Sequence, residues 1–197
     1  MAILSNWHVL VASLDATFGE EIVQPATYFL GPNPARVVGV LSRWLDLDNG
    51  YDAAIAVLAD KTAIALKVAN VDMAIQGMAE PRYGMRLVKS AAMTQNTNAL
   101  VDGVEGSYAI DYTRYGVGIR WMHGIRLVPD TDAPINEISL SGDSGAVWID
   151  RDTGNAVALL FAGEDNLTPL YEYALAQPLS PILDMLDIEL VLDEVVP

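Results

Sequence analysis

Short apolar blocks separated by turn residues dominate the chain. Arg36-Val37-Val38-Gly39-Val40-Leu41, Asp52-Ala53-Ala54-Ile55-Ala56-Val57-Leu58 and Met85-Arg86-Leu87-Val88 each read as a strand. From Ile119 to Leu127, Ile119, Trp121, His123, Ile125 and Leu127 alternate with Arg120, Met122, Gly124 and Arg126, the period of two that places one face of a strand against a core. Ala146 to Asp150, Ala156 to Ala162 and Tyr171 to Gln177 complete the series, and Asp48-Asn49-Gly50, Asp102-Gly103 and Asp152-Thr153-Gly154 supply turns. This spacing predicts an all-β sandwich or barrels. Helical periodicity is confined to the C-terminal side. Ser180 is the candidate N-cap there, Pro181 fits the first helical position, and Ile182, Leu183, Met185 and Leu186 form an apolar stripe. Ile188 to Leu192 reads as a last strand. Asp184, Asp187, Glu189, Asp193 and Glu194 read as a solvated acidic face. Proline and glycine in Ala79-Glu80-Pro81-Arg82-Tyr83-Gly84 mark a boundary between strand-rich halves, 1–80 and 81–197.

Composition narrows the functions available. The 197 residues are 52% hydrophobic, with mean hydropathy +0.27, enough apolar side chain to fill a core. Eleven basic and 26 acidic residues give a net charge of −15, which argues against nucleic acid and against acidic lipid headgroups as partners. The absence of cysteine excludes disulfides, thiolate nucleophiles and cysteine-ligated zinc. It fits a reducing cytoplasm, and the first residues lack the basic start of a secretion signal. No apolar run reaches the roughly 18 residues of a membrane span, Ala156 to Gly163 stopping at Glu164. The expectation is a soluble, cytoplasmic protein.

The sharpest chemical feature is Ser139-Leu140-Ser141-Gly142-Asp143-Ser144-Gly145-Ala146-Val147. It can be an ordinary acidic turn, or a turn that presents Ser144 where the N–H groups of Gly142 and Ser144 converge on an oxyanion. One such donor contributes about 2.7–4 kcal/mol to catalysis. Serine needs a base, and only two histidines are available. His123 falls on the apolar face of its alternating strand and reads as a hydrogen-bonded core histidine. His8 follows an apolar strand at a polar break, a better place for a site. Asp52 opens an apolar run and could orient the imidazole. Asp46-Leu47-Asp48-Asn49-Gly50 resembles a calcium loop only superficially, since glycine falls at the fifth position and Val57 at the twelfth, where glutamate is expected.

Taken together, Leu4-Ser5-Asn6-Trp7-His8-Val9-Leu10, Asp52-Ala53-Ala54-Ile55-Ala56 and Gly142-Asp143-Ser144-Gly145-Ala146 resemble the three signature segments of chymotrypsin-like serine peptidases, in that family's order of His, Asp, Ser. Separations of 44 and 92 residues are also similar to the family's. Ile3-Leu4-Ser5-Asn6 and Ala156 to Gly163 resemble cysteine-free bacterial trypsin-like peptidases and their plant narrow-leaf-type relatives. The resemblance implies two packed six-stranded antiparallel barrels, His8 and Asp52 in the first, Ser144 in the second, and the triad in the cleft between them. It implies His8 as general base, Asp52 as orienting carboxylate, Ser144 as nucleophile and the Gly142 and Ser144 amides as oxyanion hole. It implies a peptide or protein substrate, no cofactor and no metal. Asp143 would hold the oxyanion turn; in family members matured by cleavage, a new N-terminal amine pairs with that aspartate. No activation segment is visible here, so another partner is expected if the turn is held at all. Ile138, six residues before the nucleophile, and Phe161-Ala162-Gly163 on the opposite wall predict an apolar or small residue before the scissile bond. Glu164, Asp165 or Glu172 would oppose that by placing negative charge at the rim.

Two departures from the family stand out. Seven residues precede His8 where the family has two or three strands, so the first barrel is expected to be incomplete and to be filled by a second copy or an upstream segment. Ser90 to Ala99 carries Ala, Met, Gln and Asn where the closer relatives have glycines and an arginine, which reads either as a reshaped loop or as relaxed catalysis. Besides an endopeptidase, the chain can therefore be a protease-like assembly or binding module, or an esterase with the same triad.

Overall fold

The computed structural model describes residues 1–26, 34–60, 62, 64–71, 73–133, 137–164 and 172–192. The first sheet contains β1 (Ala2–Ser5), β2 (Glu21–Gln24), β3 (Arg36–Trp44) and β4 (Ala54–Leu58), ordered β1-β4-β3-β2 with antiparallel neighbours. The β3–β4 crossing requires Gly39, because a Cβ there would run into the Val57 carbonyl. The second sheet contains β5 (Gly77–Met78), β6 (Arg86–Ala91), β7 (Gln95–Asp111), β8 (Ile119–Pro129), β9 (Val147–Asp150), β10 (Asn155–Gly163) and β11 (Ala174–Pro178). Its order is β11-β8-β7-β6-β9-β10-β5, and a β10–β11 pairing closes the six strands β6 to β11 into a barrel. The expected all-β architecture is present: a complete six-stranded second barrel, a first sheet of four strands among the described residues, and a short C-terminal helix.

Three cores hold the sheets together. Leu87, Ile125, Leu127, Ile138, Trp148 and Leu160 fill the second barrel. Trp7, Leu41, Tyr112, Met122, Phe161 and Leu175 form another core, which joins residues of both sheets. The helix α2 (Leu179–Leu186) buries Leu179, Ile182 and Leu186 against Leu45 and Ile55 of the first half and Leu159 of β10. The run from Ala156 to Phe161 is buried throughout because β10 meets the barrel interior on one side and the first sheet and α2 on the other.

Several local expectations change. The Ile119 to Leu127 alternation does not keep one face inward. Ile119 and Trp121 are 64% and 66% exposed, Met122 and Gly124 are buried, and then Ile125 and Leu127 are buried. The facing strand β7 carries register shifts at Val101/Gly103 and Gly103/Gly106, which move the inward parity by one residue. His123 is consequently exposed, not a core histidine. The same bulge absorbs Asp102-Gly103, expected as a turn. Ser90 to Ala99 is the β6–β7 hairpin rather than an open loop; Asn96 and Asn98 are poor strand formers, held in register by pairing with β6. The helix begins at Leu179, with Pro178 rather than Ser180 at the cap position, because Pro178 ends β11. Residues 188–192 form no strand; Ile188 and Leu190 fold back onto the core beneath α2. Tyr171, Asp193 and Glu194 lie outside the described residues.

Candidate active site

The apolar strand β1 ends at Ser5, and the chain turns into the single helical turn α1 (Trp7–Leu10), which carries His8. Asn6 occupies the cap position but its side chain makes no capping bond; Nδ2 donates instead to the Asp52 carbonyl at 2.9 Å. That bond ties α1 to the residues preceding β4. Asp52 is fully buried and its carboxylate is met by three donors: the His8 amide to Oδ1 at 3.0 Å, His8 Nδ1 to Oδ2 at 2.5 Å, and the Tyr112 hydroxyl to Oδ2 at 2.8 Å. A buried carboxylate tolerates its charge only with such donors. With Nδ1–H directed at Asp52, His8 Nε2 is the acceptor nitrogen. Burial, and then the Asp52 charge, push the Tyr112 phenol well above its ordinary value, so it remains a donor. Trp7 packs edge-on against Tyr112 and Tyr115, with ring centroids 6.5 and 6.1 Å away, and these rings wall the pair.

Gln177 of β11 joins this assembly to the second barrel. Fully buried, it accepts from the Asp52 amide at 2.7 Å and donates to the carbonyls of Gly50 and His123, each at 2.9 Å.

The segment that carries Ser144 is built around a buried carboxylate as well. Gly142 and Gly145 have φ of +108° and +90°, conformations that side chains resist. Asp143 accepts from the Met93 and Thr94 amides at 2.7 and 3.2 Å, the Leu140 amide at 3.1 Å, the Thr94 hydroxyl at 2.6 Å and Lys89 Nζ at 3.4 Å. Burial works against the Asp143 charge, but the Thr94 hydroxyl, the Lys89 ammonium and the amides outweigh it and hold the carboxyl below its ordinary value. Lys89 is itself fully buried; desolvation lowers its pKa, with Asp143 acting in the opposite sense, and its ammonium lies 5.3 Å from the Trp148 ring centroid. The partner sought for Asp143 is therefore Lys89 with the tip of the β6–β7 hairpin.

Gly145 presses on the first sheet so closely that a Cβ would overlap Ser5 Oγ, which brings the Ser144 segment against the strand leading to His8. Ser144 is half-buried. Among the described residues, the Gly142 and Ser144 amides donate to no protein acceptor, and no hydrogen bond joins Ser144 to His8.

The expected specificity residues divide. Ile138 packs into the core of the second barrel and Phe161 into the core shared by the sheets, whereas Ala162 is half-buried and Gly163 exposed. Gly163 abuts Ser139, whose Oγ would lie 2.7 Å from a Cβ on that glycine. Glu172 is buried rather than at a rim and accepts from the amides of Ile138 and Ser139 at 2.9 and 3.2 Å. Glu164 is half-buried. Asp165 lies outside the described residues.

Tyr112, Lys89 and Gln177 were not anticipated. Lys89 shares the inward parity of Met85 and Leu87, and Gln177 that of Leu175; a polar residue at such a position is the available signal. Tyr112 carries none, since it follows β7 and reaches Asp52 from 60 residues away.

No protein-family model and no curated relative matches the chain by sequence. In fold it is similar to a glutamic acid specific serine protease described as using a histidine triad in substrate binding (17% identity, 96% of this chain and 86% of that one, TM-score 0.68). It is also similar to a Nocardiopsis protease (13% identity, 95% and 84%, TM-score 0.65) and to Thermobifida fusca protease A (14% identity, 96% and 83%, TM-score 0.64). These likenesses establish the chymotrypsin-like serine protease fold.

Proposed function

We propose that this chain, built on the fold of chymotrypsin-like serine proteases, is a serine endopeptidase with His8, Asp52 and Ser144 as its triad. The observation that carries the reading is the buried Asp52 carboxylate gripping His8 Nδ1 at 2.5 Å, which leaves Nε2 as a base. The Gly145–Ser5 contact and the two amides, which have no protein acceptor among the described residues, support it. Ser144 Oγ attacks the peptide carbonyl while His8 Nε2 takes its proton, and Asp52 stabilises the imidazolium that forms. The carbonyl oxygen becomes an oxyanion held by the Gly142 and Ser144 amides, each contributing about 2.7–4 kcal/mol. Collapse breaks the C–N bond as His8 returns the proton to the leaving amine, and water then hydrolyses the acyl-enzyme by the same steps. Apo enzymes often hold nucleophile and base farther apart than the reacting complex does, so the missing Ser144–His8 bond is compatible with this chemistry. The narrow approach of Gly163 to Ser139 fits a small residue before the scissile bond.

A fluorophosphonate probe tests the proposal. The wild-type chain should label at one site and cleave a peptide library, and Ser144→Ala should do neither while melting at the same temperature. A folded wild-type chain that does not label refutes it.

A further inference from the structure

We propose that Glu137, Glu164 and Glu172 form a binding site for a divalent cation of the calcium type, beside the segment that enters the Ser144 turn. One carboxylate oxygen from each residue lies within 4.8 Å of the other two. The centre of such a triangle is at most about 2.8 Å from every corner, a few tenths of an ångström from calcium–oxygen distances of about 2.3–2.6 Å. A donor set made only of carboxylate oxygens selects a hard cation over zinc or copper.

Glu172 supplies an independent reason. It is 3% exposed, Oε1 accepts from Ile138 and Ser139, and Oε2 has no hydrogen-bond partner. A buried carboxylate oxygen without a donor is costly, and a cation at the centre of the triangle would relieve it. Lys89, whose charge also acts on Glu172, is engaged by Asp143 and Thr94.

The packing favours a bare ion over a lysine or arginine of a substrate. A Cβ on Gly163 would lie 2.7 Å from Ser139 Oγ, 3.1 Å from Ser139 Cβ and 3.2 Å from the Tyr173 carbonyl, so these segments are in contact and a compact ion suits the space beside them better than a long side chain does. An ion held there joins the end of β10, the chain entering β11 and residues 137–139. It is a structural fastening for the wall beside Ser144.

The test uses the full chain and needs no turnover. After chelator treatment, thermal melting is followed with added Ca2+ or Mg2+. A Ca2+ concentration 100-fold above Kd should raise Tm by about 5–10 °C, with a weaker response to Mg2+. Glu172→Gln should abolish the Ca2+ response, and Glu137→Gln, at the half-buried corner, serves if the first variant folds poorly. Ser144→Ala should keep the full response, which separates this proposal from the peptidase reading. A wild-type chain unmoved by millimolar Ca2+, or variants that respond like the wild type, overturns it. So does metal-free protein that binds p-aminobenzamidine through Glu172, since that assigns the cluster to a cationic side chain.

Discussion

Tyr112→Phe isolates a single hydrogen bond at the Asp52 carboxylate. The phenol donates to Oδ2 at 2.8 Å from a site that is 2% exposed, so water does not readily replace it. Hydrogen bonds to charged groups contribute about 1.5–3 kcal/mol. The carboxylate keeps the His8 amide on Oδ1 and His8 Nδ1 on Oδ2, so it is not stranded, and the loss belongs near the lower end, at about 2 kcal/mol. For a domain of this size that lowers Tm by about 4–8 °C. The effect on rate should be much smaller than the effect of losing the carboxylate. The phenol donates to the same carboxylate oxygen before and during attack, so it stabilises both states alike, and only uniform binding is removed. The second-order rate of fluorophosphonate labelling should therefore fall by no more than about tenfold, against about 10⁴ when the aspartate no longer sets the tautomer. Thermal melts and labelling kinetics on the same preparation decide the matter. An unchanged Tm would mean that the phenol does not bond Asp52 in solution. A labelling rate lowered a thousandfold in a well-folded variant would mean that Tyr112 takes part in the chemistry, and the division of roles argued above would be wrong.

Other perturbations probe the supports of the site. Lys89→Met leaves the Asp143 charge buried without its ammonium partner and should cost about 3–5 kcal/mol in urea unfolding, partly recovered when Asp143→Asn is added. The Asp143 carboxyl is depressed in the fold, so its contribution is present above its unfolded pKa of about 3.9 and disappears as pH falls through the lower folded value. Acid titration of stability should accordingly be shallower below pH ~4 in Asp143→Asn than in wild type. Gln177→Leu removes three hydrogen bonds, two of which tie the second barrel to Gly50 and Asp52, and should lower stability by about 2–4 kcal/mol, measured by denaturant titration. Gly145→Ala adds a Cβ where φ is +90° and Ser5 is in the way, so labelling of Ser144 should fall more steeply than Tm; an unaffected labelling rate would show that this contact does not position the serine.

What could be read from the residues, and what could not, follows from the range of the interactions. The strands around Ile55, Leu87 and Leu159 are legible because their apolar side chains repeat with the period of the backbone. The His8 and Ser144 segments are legible because local chemistry demands a polar break and glycines. By contrast, β7 is invisible in its own composition: Gln95, Asn96, Asn98, Asp102, Gly103 and Gly106 disfavour a strand, and pairing with β6 and β8 imposes it. The misplacement of His123 has the same root, since the parity of β8 is set by bulges on a different strand. Tyr112 and Gln177 reach Asp52 across 60 and 125 residues, distances over which no local pattern speaks.

The arrangement of buried charge also shows how Asp143 in the Ser144 turn is held within the second barrel. A buried carboxylate such as Asp143 is tolerable only where donors converge, and apart from the Leu140 amide its donors come from a single hairpin: Lys89 on β6, and Met93 and Thr94 at the tip. That hairpin belongs to the closed barrel, paired on one side with β9 and on the other with β8, so the donors are in place as soon as the barrel forms. Folding of the second barrel and seating of the Gly142–Ser144 turn are then one event. Within Ser90 to Ala99, the Met93 and Thr94 amides and the Thr94 hydroxyl are the groups that meet Asp143, so of these residues Thr94 is the one whose side chain the turn uses.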